Sequence, residues 1–310
     1  MKKLFNVIIV AIMLIGVSFG QNPYSPDYQI LKEKGLIEQP TQVEYNGPIT
    51  PILPDESIRD AGFYVQLDDS FILAMQPNDD GYTQQLTLPF TFCLYETDYT
   101  KFYINNNGNV SFDQAYYTYT PTGFPINGYA MVAPFWADVD TRGGFGSVHY
   151  KMTTNPNRLV VIWDKVGYYN IQGDKRNTFQ LIITDGNDPL IGLGHNVAFA
   201  YESMEWTTGS ASGGVNGFGG SAATVGINKG NGVDFALVGR FRWPGTDFIG
   251  VNSVDNQVGW LTNKRFAFDA CVEDPVIPQP PSEVPLSDWA LYVGIALMLT
   301  FVVIRFRRIF

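Results

Sequence analysis

Histidine and cysteine are scarce. Two of each among 310 residues leave no room for a His-rich metal centre, a four-cysteine zinc site or a disulfide-dense scaffold. Charge is thin as well: Asp, Glu, Lys and Arg make up 16% of the chain, against about 25% in an average globular protein. The charge present is mostly acidic, 30 residues against 20 basic ones, which excludes nucleic acid as a partner because phosphates need clustered cations. No long stretch has helical periodicity, so a helical bundle is excluded. The phosphate-cradling loops G-x-x-x-x-G-K-[ST] and G-x-G-x-x-G are missing, and the Gly- and Ser-rich stretch 209–220 reads as a surface loop. There is no G-x-S-x-G; Gly209 to Gly213 has Ala211 where a nucleophile would stand. His149 and His195 have no Ser or Cys partner close in sequence. Glu202 and Glu205, three apart, fall on opposite faces of a strand and do not form a glycosidase pair. The chain reads as a non-enzyme.

What the sequence does have is apolar and aromatic: 45% hydrophobic residues, with 17 Tyr and 22 Phe, enough for a substantial core. Between residues 61 and 271 short segments alternate at period two. Asn177–Thr184 places Phe179, Leu181 and Ile183 on one face and Thr178, Gln180 and Thr184 on the other, a half-buried strand. Arg158–Val166 is denser and predicts a central strand. Further strands are expected at 63–67, 86–92, 101–104, 110–112, 148–152, 197–201 and 235–238, separated by turn signals such as Asn107-Gly108 and Asp185-Gly186. The expected fold class is all-β, a single β-sandwich domain over 61–271. Residues 21–60 form a Pro-punctuated N-terminal arm with a weak helical pattern from Tyr28 to Glu38.

The ends indicate export. Residues 1–20 have a basic start (Lys2, Lys3), an apolar run and small residues before Gln21, the pattern of a signal peptide. Residues 272–285 contain five Pro and predict a stiff linker of about 40 Å at polyproline II pitch. From residue 286 to 310 a second signal follows: Leu286-Ser287-Asp288-Trp289, an uncharged apolar run to Ile304, then Arg305, Arg307 and Arg308. This predicts a single C-terminal transmembrane helix with its Arg cluster on the cytoplasmic side. The block beginning Pro285-Leu286-Ser287-Asp288-Trp289 resembles C-terminal sorting signals handled by bacterial exosortase-type enzymes, one class of which carries Ile-Pro-Thr-Leu-Ser-Glu-Trp. Here Pro285 meets Leu286 directly and Asp288 stands for Glu. The resemblance implies a membrane-anchored precursor, a sorting enzyme as partner and display at a bacterial cell surface. Between the terminal signals, residues 21–285 carry 15 basic and 29 acidic residues, and such a surface repels polyanions.

Four groups of residues stand out in the body. Cys93 and Cys271 are expected to pair in an exported chain, closing a loop of about 178 residues; two buried thiols are the alternative. Asp138 and Asp140 share one face of an extended chain, and either bind calcium or pair with Arg142. No other cofactor is expected. Tyr116, Tyr117 and Tyr119 form either a contact patch or part of the core. Trp206 fills the core or offers a platform for a sugar ring.

Seven blocks in order then resemble the nidogen-like (NIDO) domain, the extracellular module of nidogens, tectorins and some mucins: Phe102–Phe112 with its Asn107-Gly108 turn, Phe124-Pro125, Ala130–Arg142, Gly146–Tyr150, Val160–Trp163, Asn177–Gln180, and Glu205–Gly209 with Ala223–Asn228. The most specific is Ala130-Met-Val-Ala-Pro-Phe-Trp-Ala-Asp-Val-Asp-Thr-Arg142. The resemblance implies adhesion or matrix assembly through an extracellular protein ligand. A glycan ligand is the first alternative, a sandwich-fold glycoside hydrolase the second, and a passive sheath component the third.

Overall fold

The computed structural model describes residues 22–39, 43–54 and 62–272. The signal peptide, almost all of the linker and the sorting segment with Pro285, Leu286, Ser287, Asp288, Trp289, Arg305, Arg307 and Arg308 lie outside the described residues. Among the described residues no helix is long and apolar enough to cross a membrane.

The architecture is all-β. One short helix, α1 (Tyr28–Glu33), precedes the strands β1 (Thr50–Pro51), β2 (Ile72–Leu73), β3 (Leu86–Leu94), β4 (Thr97–Asn105), β5 (Asn109–Ser111), β6 (Met131–Trp136) and β7 (Val139–Asp140). The middle of the chain supplies β8 (Ser147–Thr154), β9 (Asn157–Tyr168), β10 (Gln172–Thr184) and β11 (Val197–Tyr201). After a small hairpin, β12 (Gly214–Val215) and β13 (Phe218–Gly219), come β14 (Ala223–Asn228), β15 (Phe235–Trp243), β16 (Asn256–Gln257) and β17 (Arg265–Phe268). The first sheet runs β1-β15-β14-β6-β5-β4-β3 with β16 beside β15; the second runs β17-β11-β10-β9-β8-β2 with β7 beside β9. β1 and β16 join β15 in parallel; the pairs within β3–β6 and β8–β11 are antiparallel.

The two sheets share one core. Trp163 stacks on Phe179 at 5.0 Å between centroids with planes 12° apart, and Phe135 reaches Phe179 at 5.5 Å. The buried indole of Trp163 keeps a partner, donating to the Asn106 carbonyl at 3.0 Å. At the turn joining β4 to β5, Gly108 has φ +74° and a Cβ there would lie 1.8 Å from the Phe135 carbonyl, so only glycine allows the close approach of β6.

The outer faces of both sheets are also covered, and this corrects the half-buried reading of Asn177–Thr184: every residue of that stretch is buried. Its polar face is closed by residues 63–71. Gln180 donates through Nε2 to the Val65 carbonyl at 2.6 Å and accepts from the Tyr64 and Val65 N–H groups. Phe63 packs with Val160, Ile162 and Ile182. The segment 63–67, expected as a strand, is therefore an extended strip laid over β9 and β10 with no ladder of its own. On the other sheet, Trp136, Met131, Phe235 and Leu237 are covered by Tyr116 and Phe124, with Tyr45 and Ile49 of the arm against them. A strand buried on both faces reads as a continuous apolar run, as Met131–Trp136 does.

Candidate functional site

The arm contributes a cation to the interior. In α1 the residues Tyr28 and Lys32, one turn apart, share a face; both are buried, while Ile30 and Leu31 are exposed. Lys32 is only 1% exposed. Its Nζ donates to Asp79 Oδ2 at 2.8 Å, to Asp80 Oδ2 at 2.7 Å and to Asp138 Oδ1 at 2.7 Å. It also lies over the rings of Tyr119 and Tyr169, 4.1 and 4.2 Å from their centroids.

Each carboxylate is delivered by a fixed piece of backbone. Asp79 and Asp80 belong to the turn 78–81, which Asn78 closes by accepting the Gly81 N–H at 2.6 Å. Asn106 donates to the Asp79 carbonyl and to the Val139 carbonyl, tying that turn to β7. Asn107 donates to Asp80 Oδ1 at 2.7 Å, and Gln29 donates to Asp79 Oδ2 at 2.9 Å. Asp138 sits between β6 and β7, and Asp138 Oδ2 and Asp79 Oδ1 are buried without a hydrogen-bond partner. Asp140 turns away to a second cation: Arg142 Nε and Nη2 approach its two oxygens at 2.8 and 2.5 Å, and the Ile171 N–H adds a bond at 2.9 Å.

Four carboxylates thus surround two cations. Burial pushes Asp138 up to about 7, with help from Asp80 and against the attraction of Lys32. Burial and the neighbouring Asp80 likewise raise Asp79 well above the carboxylate range. Burial opposes the charge of Lys32, but Asp138, Asp79 and Asp80 outweigh it and hold the ammonium above the ordinary lysine value. Asp79, Asp80 and Asp138 bring carboxylate oxygens within 4.8 Å of one another, a disposition that suits a cation.

The structure thus separates the pair expected as one calcium site: Asp138 faces Lys32, and Asp140 faces Arg142, the ion pair that was the alternative. Nothing in the sequence links Lys32 to Asp79, Asp80 or Asp138; 47 residues separate it from the nearest, and the turn 78–81 reads as a plain acidic turn. Tyr116, Tyr119 and Trp206 are buried at 1%, 2% and 0% exposure, so they offer no contact patch or sugar platform. The loop of Tyr116–Tyr119 folds onto the sheet, where Trp136 donates to the Thr118 carbonyl at 2.9 Å, and elsewhere Trp206 donates to the Val166 carbonyl at 3.0 Å. Tyr117 alone stays half-buried, stacked on Tyr82 at 5.8 Å. Cys93 and Cys271 form the expected disulfide, with Cα atoms 4.9 Å apart.

Two surface features went unmarked in the sequence. Trp243, 43% exposed at the end of β15, donates to Asp255 at 3.1 Å. A cleft of about 620 Å³ opens between the arm and the loop 251–254, lined by Tyr45, Phe124, Phe235 and Arg240. Among the described residues the Arg240 side chain bonds carbonyls, those of Pro121 and Ala222 at 3.2 and 3.4 Å, and its Nε has no partner. Burial and Arg242 lower its affinity for a proton, to about 10.

Residues 59–255 match the family described as NIDO related. Alpha-tectorin of Gallus gallus is 32% identical over 206 residues, which cover 57% of this chain and 9% of that protein. Alpha-tectorin of Homo sapiens is 33% identical over 217 residues, 61% of this chain and 10% of the relative. Nidogen-1 of Mus musculus is 29% identical over 145 residues, 37% and 12% respectively. The chain thus spans about a tenth of the length of these relatives. No solved structure matches it.

Proposed function

The chain belongs to the NIDO-related family, and from that membership and the geometry above we propose that it is an exported, non-catalytic module that binds an extracellular protein. Membership carries this reading. The disulfide accords with an oxidising exterior, and the signal-like residues 1–20 and 286–310 support delivery to, and anchoring at, a bacterial cell surface by a sorting enzyme. In this reading the cleft beside Arg240 is the docking surface, because a guanidinium bonded, among the described residues, to carbonyls and to no carboxylate selects an acidic group on its partner. The test is attachment: cells displaying the full chain are compared with cells lacking it on surfaces coated with extracellular protein. Retention that depends on the chain and weakens in Arg240→Met supports the proposal; equal retention of both cell types refutes it.

A glycan is the second reading, favoured by one observation. Trp243 presents an exposed indole beside the exposed carboxylate of Asp255, and Arg242 stands 3.4 Å from that carboxylate; a ring flanked by polar groups is what a sugar face requires. Glycan-array binding lost in Trp243→Ala would establish it. Calcium at Asp138 would have to compete with Lys32, and at Asp140 with Arg142, two separate places.

A further inference from the structure

An ammonium and three carboxylates with no water-accessible surface are either a costly ion cluster or a set of reactants. The side chains of Lys32, Asp80 and Asp138 are each 0% exposed and that of Asp79 is 1%. A nitrogen 2.7 Å from Asp138 Oδ1 stands roughly 3–3.5 Å from the carboxyl carbon bonded to that oxygen, the separation of a near-attack pair. The rings of Tyr119 and Tyr169 close over the nitrogen and keep water out.

The three carboxyl groups are not equivalent. Asp80 is held by Asn107 and Asp79 by Gln29, whereas among the described residues the Asp138 side chain bonds to Lys32 alone. Its other oxygen, Oδ2, is buried, unpartnered and pressed against Gly209, where a Cβ would lie 2.4 Å away. Asp79 also keeps one oxygen, Oδ1, buried and free.

We propose that Lys32 and Asp138 condense into an intramolecular isopeptide bond that rivets the N-terminal arm to the β domain, with Asp79 carrying the proton. Lys32 gives one ammonium proton to Asp79, and the neutral amine attacks Cγ of Asp138. The Nζ–Cγ bond forms. The second nitrogen proton and the one held by Asp79 pass to the departing Asp138 oxygen, the Cγ–O bond breaks, and one water leaves. The nitrogen keeps one hydrogen and the carbon stays at the carboxyl oxidation level, so ammonium plus carboxylate become amide plus water with no oxidant or metal. Condensation also removes two charges from the interior.

The test is a peptide map of the full chain after reduction and denaturation. The expected product is a branched peptide joining the segment bearing Lys32 to the segment bearing Asp138, lighter than the two together by one water, with no tryptic cleavage after residue 32. Linear peptides alone, with an unmodified Lys32, overturn the proposal, and this reading needs no variant. A branch at Asp79 or Asp80 overturns the assignment to Asp138. Lys32→Arg keeps the cation but not the nucleophile and abolishes the branch. Asp79→Asn, checked for folding by circular dichroism, slows its appearance about 100-fold if Asp79 is a general acid–base group; an unchanged rate removes Asp79 from the step.

Discussion

Asn177 and Trp206 grip each other at both ends of one amide. Asn177 Nδ2 donates to the Trp206 carbonyl at 2.9 Å, and its Oδ1 accepts the N–H groups of Glu205 and Trp206 at 2.6 and 3.2 Å. Asn177 stands where the pairing of β9 with β10 shifts register, so the amide replaces the ladder at an irregularity and pins the chain leaving β11.

Asn177→Ala leaves three backbone groups short of partners, two of them on the buried Trp206. An unfolding free energy lower by about 1–3 kcal/mol is expected, read as a reduced midpoint in urea with an unchanged slope. A midpoint equal to that of the parent would show that water or a shifted backbone takes over.

The Cys93–Cys271 bridge closes 178 residues. Replacing both with Ser is expected to lower stability by about 3–5 kcal/mol through the freed chain entropy of the unfolded state. Thermal unfolding of the two proteins under oxidising conditions measures this, and the difference should vanish once reductant is added to the parent.

Removing the cation from the cage is costly in a different way. Lys32→Met leaves Asp79, Asp80 and Asp138 buried together, and a loss of about 3–5 kcal/mol is expected. Millimolar calcium should restore part of this loss in the variant, since the three carboxylates lie close enough to share an ion, while leaving the parent's melting temperature unmoved.

The cage also sets a pH dependence of unusual sign. The folded state raises Asp79 above its ordinary value of 3.8, so it binds that proton more tightly than the unfolded chain does. The contribution of Asp79 to stability is greatest below the ordinary carboxylate range and falls as pH rises through the elevated folded value. Asp79→Asn mimics the protonated form. Its stability relative to the parent should therefore improve as pH rises above the ordinary carboxylate value of 3.8; a constant difference would show that Asp79 stays ionised.

Much of the fold was legible because strands carry their own signature. β9, β11 and β15 begin within a residue of where alternation and turn residues put them, and the family match over residues 59–255 covers the seven blocks that carried the resemblance. The covering layers were not legible. Gln180 looks solvent-facing until Val65, 115 residues away, is laid over it, and no local pattern encodes that docking. Tyr116 and Tyr119 were ambiguous for the same reason, since their burial depends on a loop folding back. Lys32 was the hardest case: within Tyr28–Glu33 its neighbours suggest a solvated helix face, and only the long-range closure of the arm shows that the cation points inward.

One consequence of the sulfur bridge concerns force. Any pull on the chain beyond residue 271 would, without it, peel β17 from β11 one backbone pair at a time, the weakest way to load a sheet edge. With Cys271 bonded to Cys93, tension bypasses β17 and enters the end of β3, a nine-residue strand paired with β4 and backed by the core. The domain is thereby wired to bear traction.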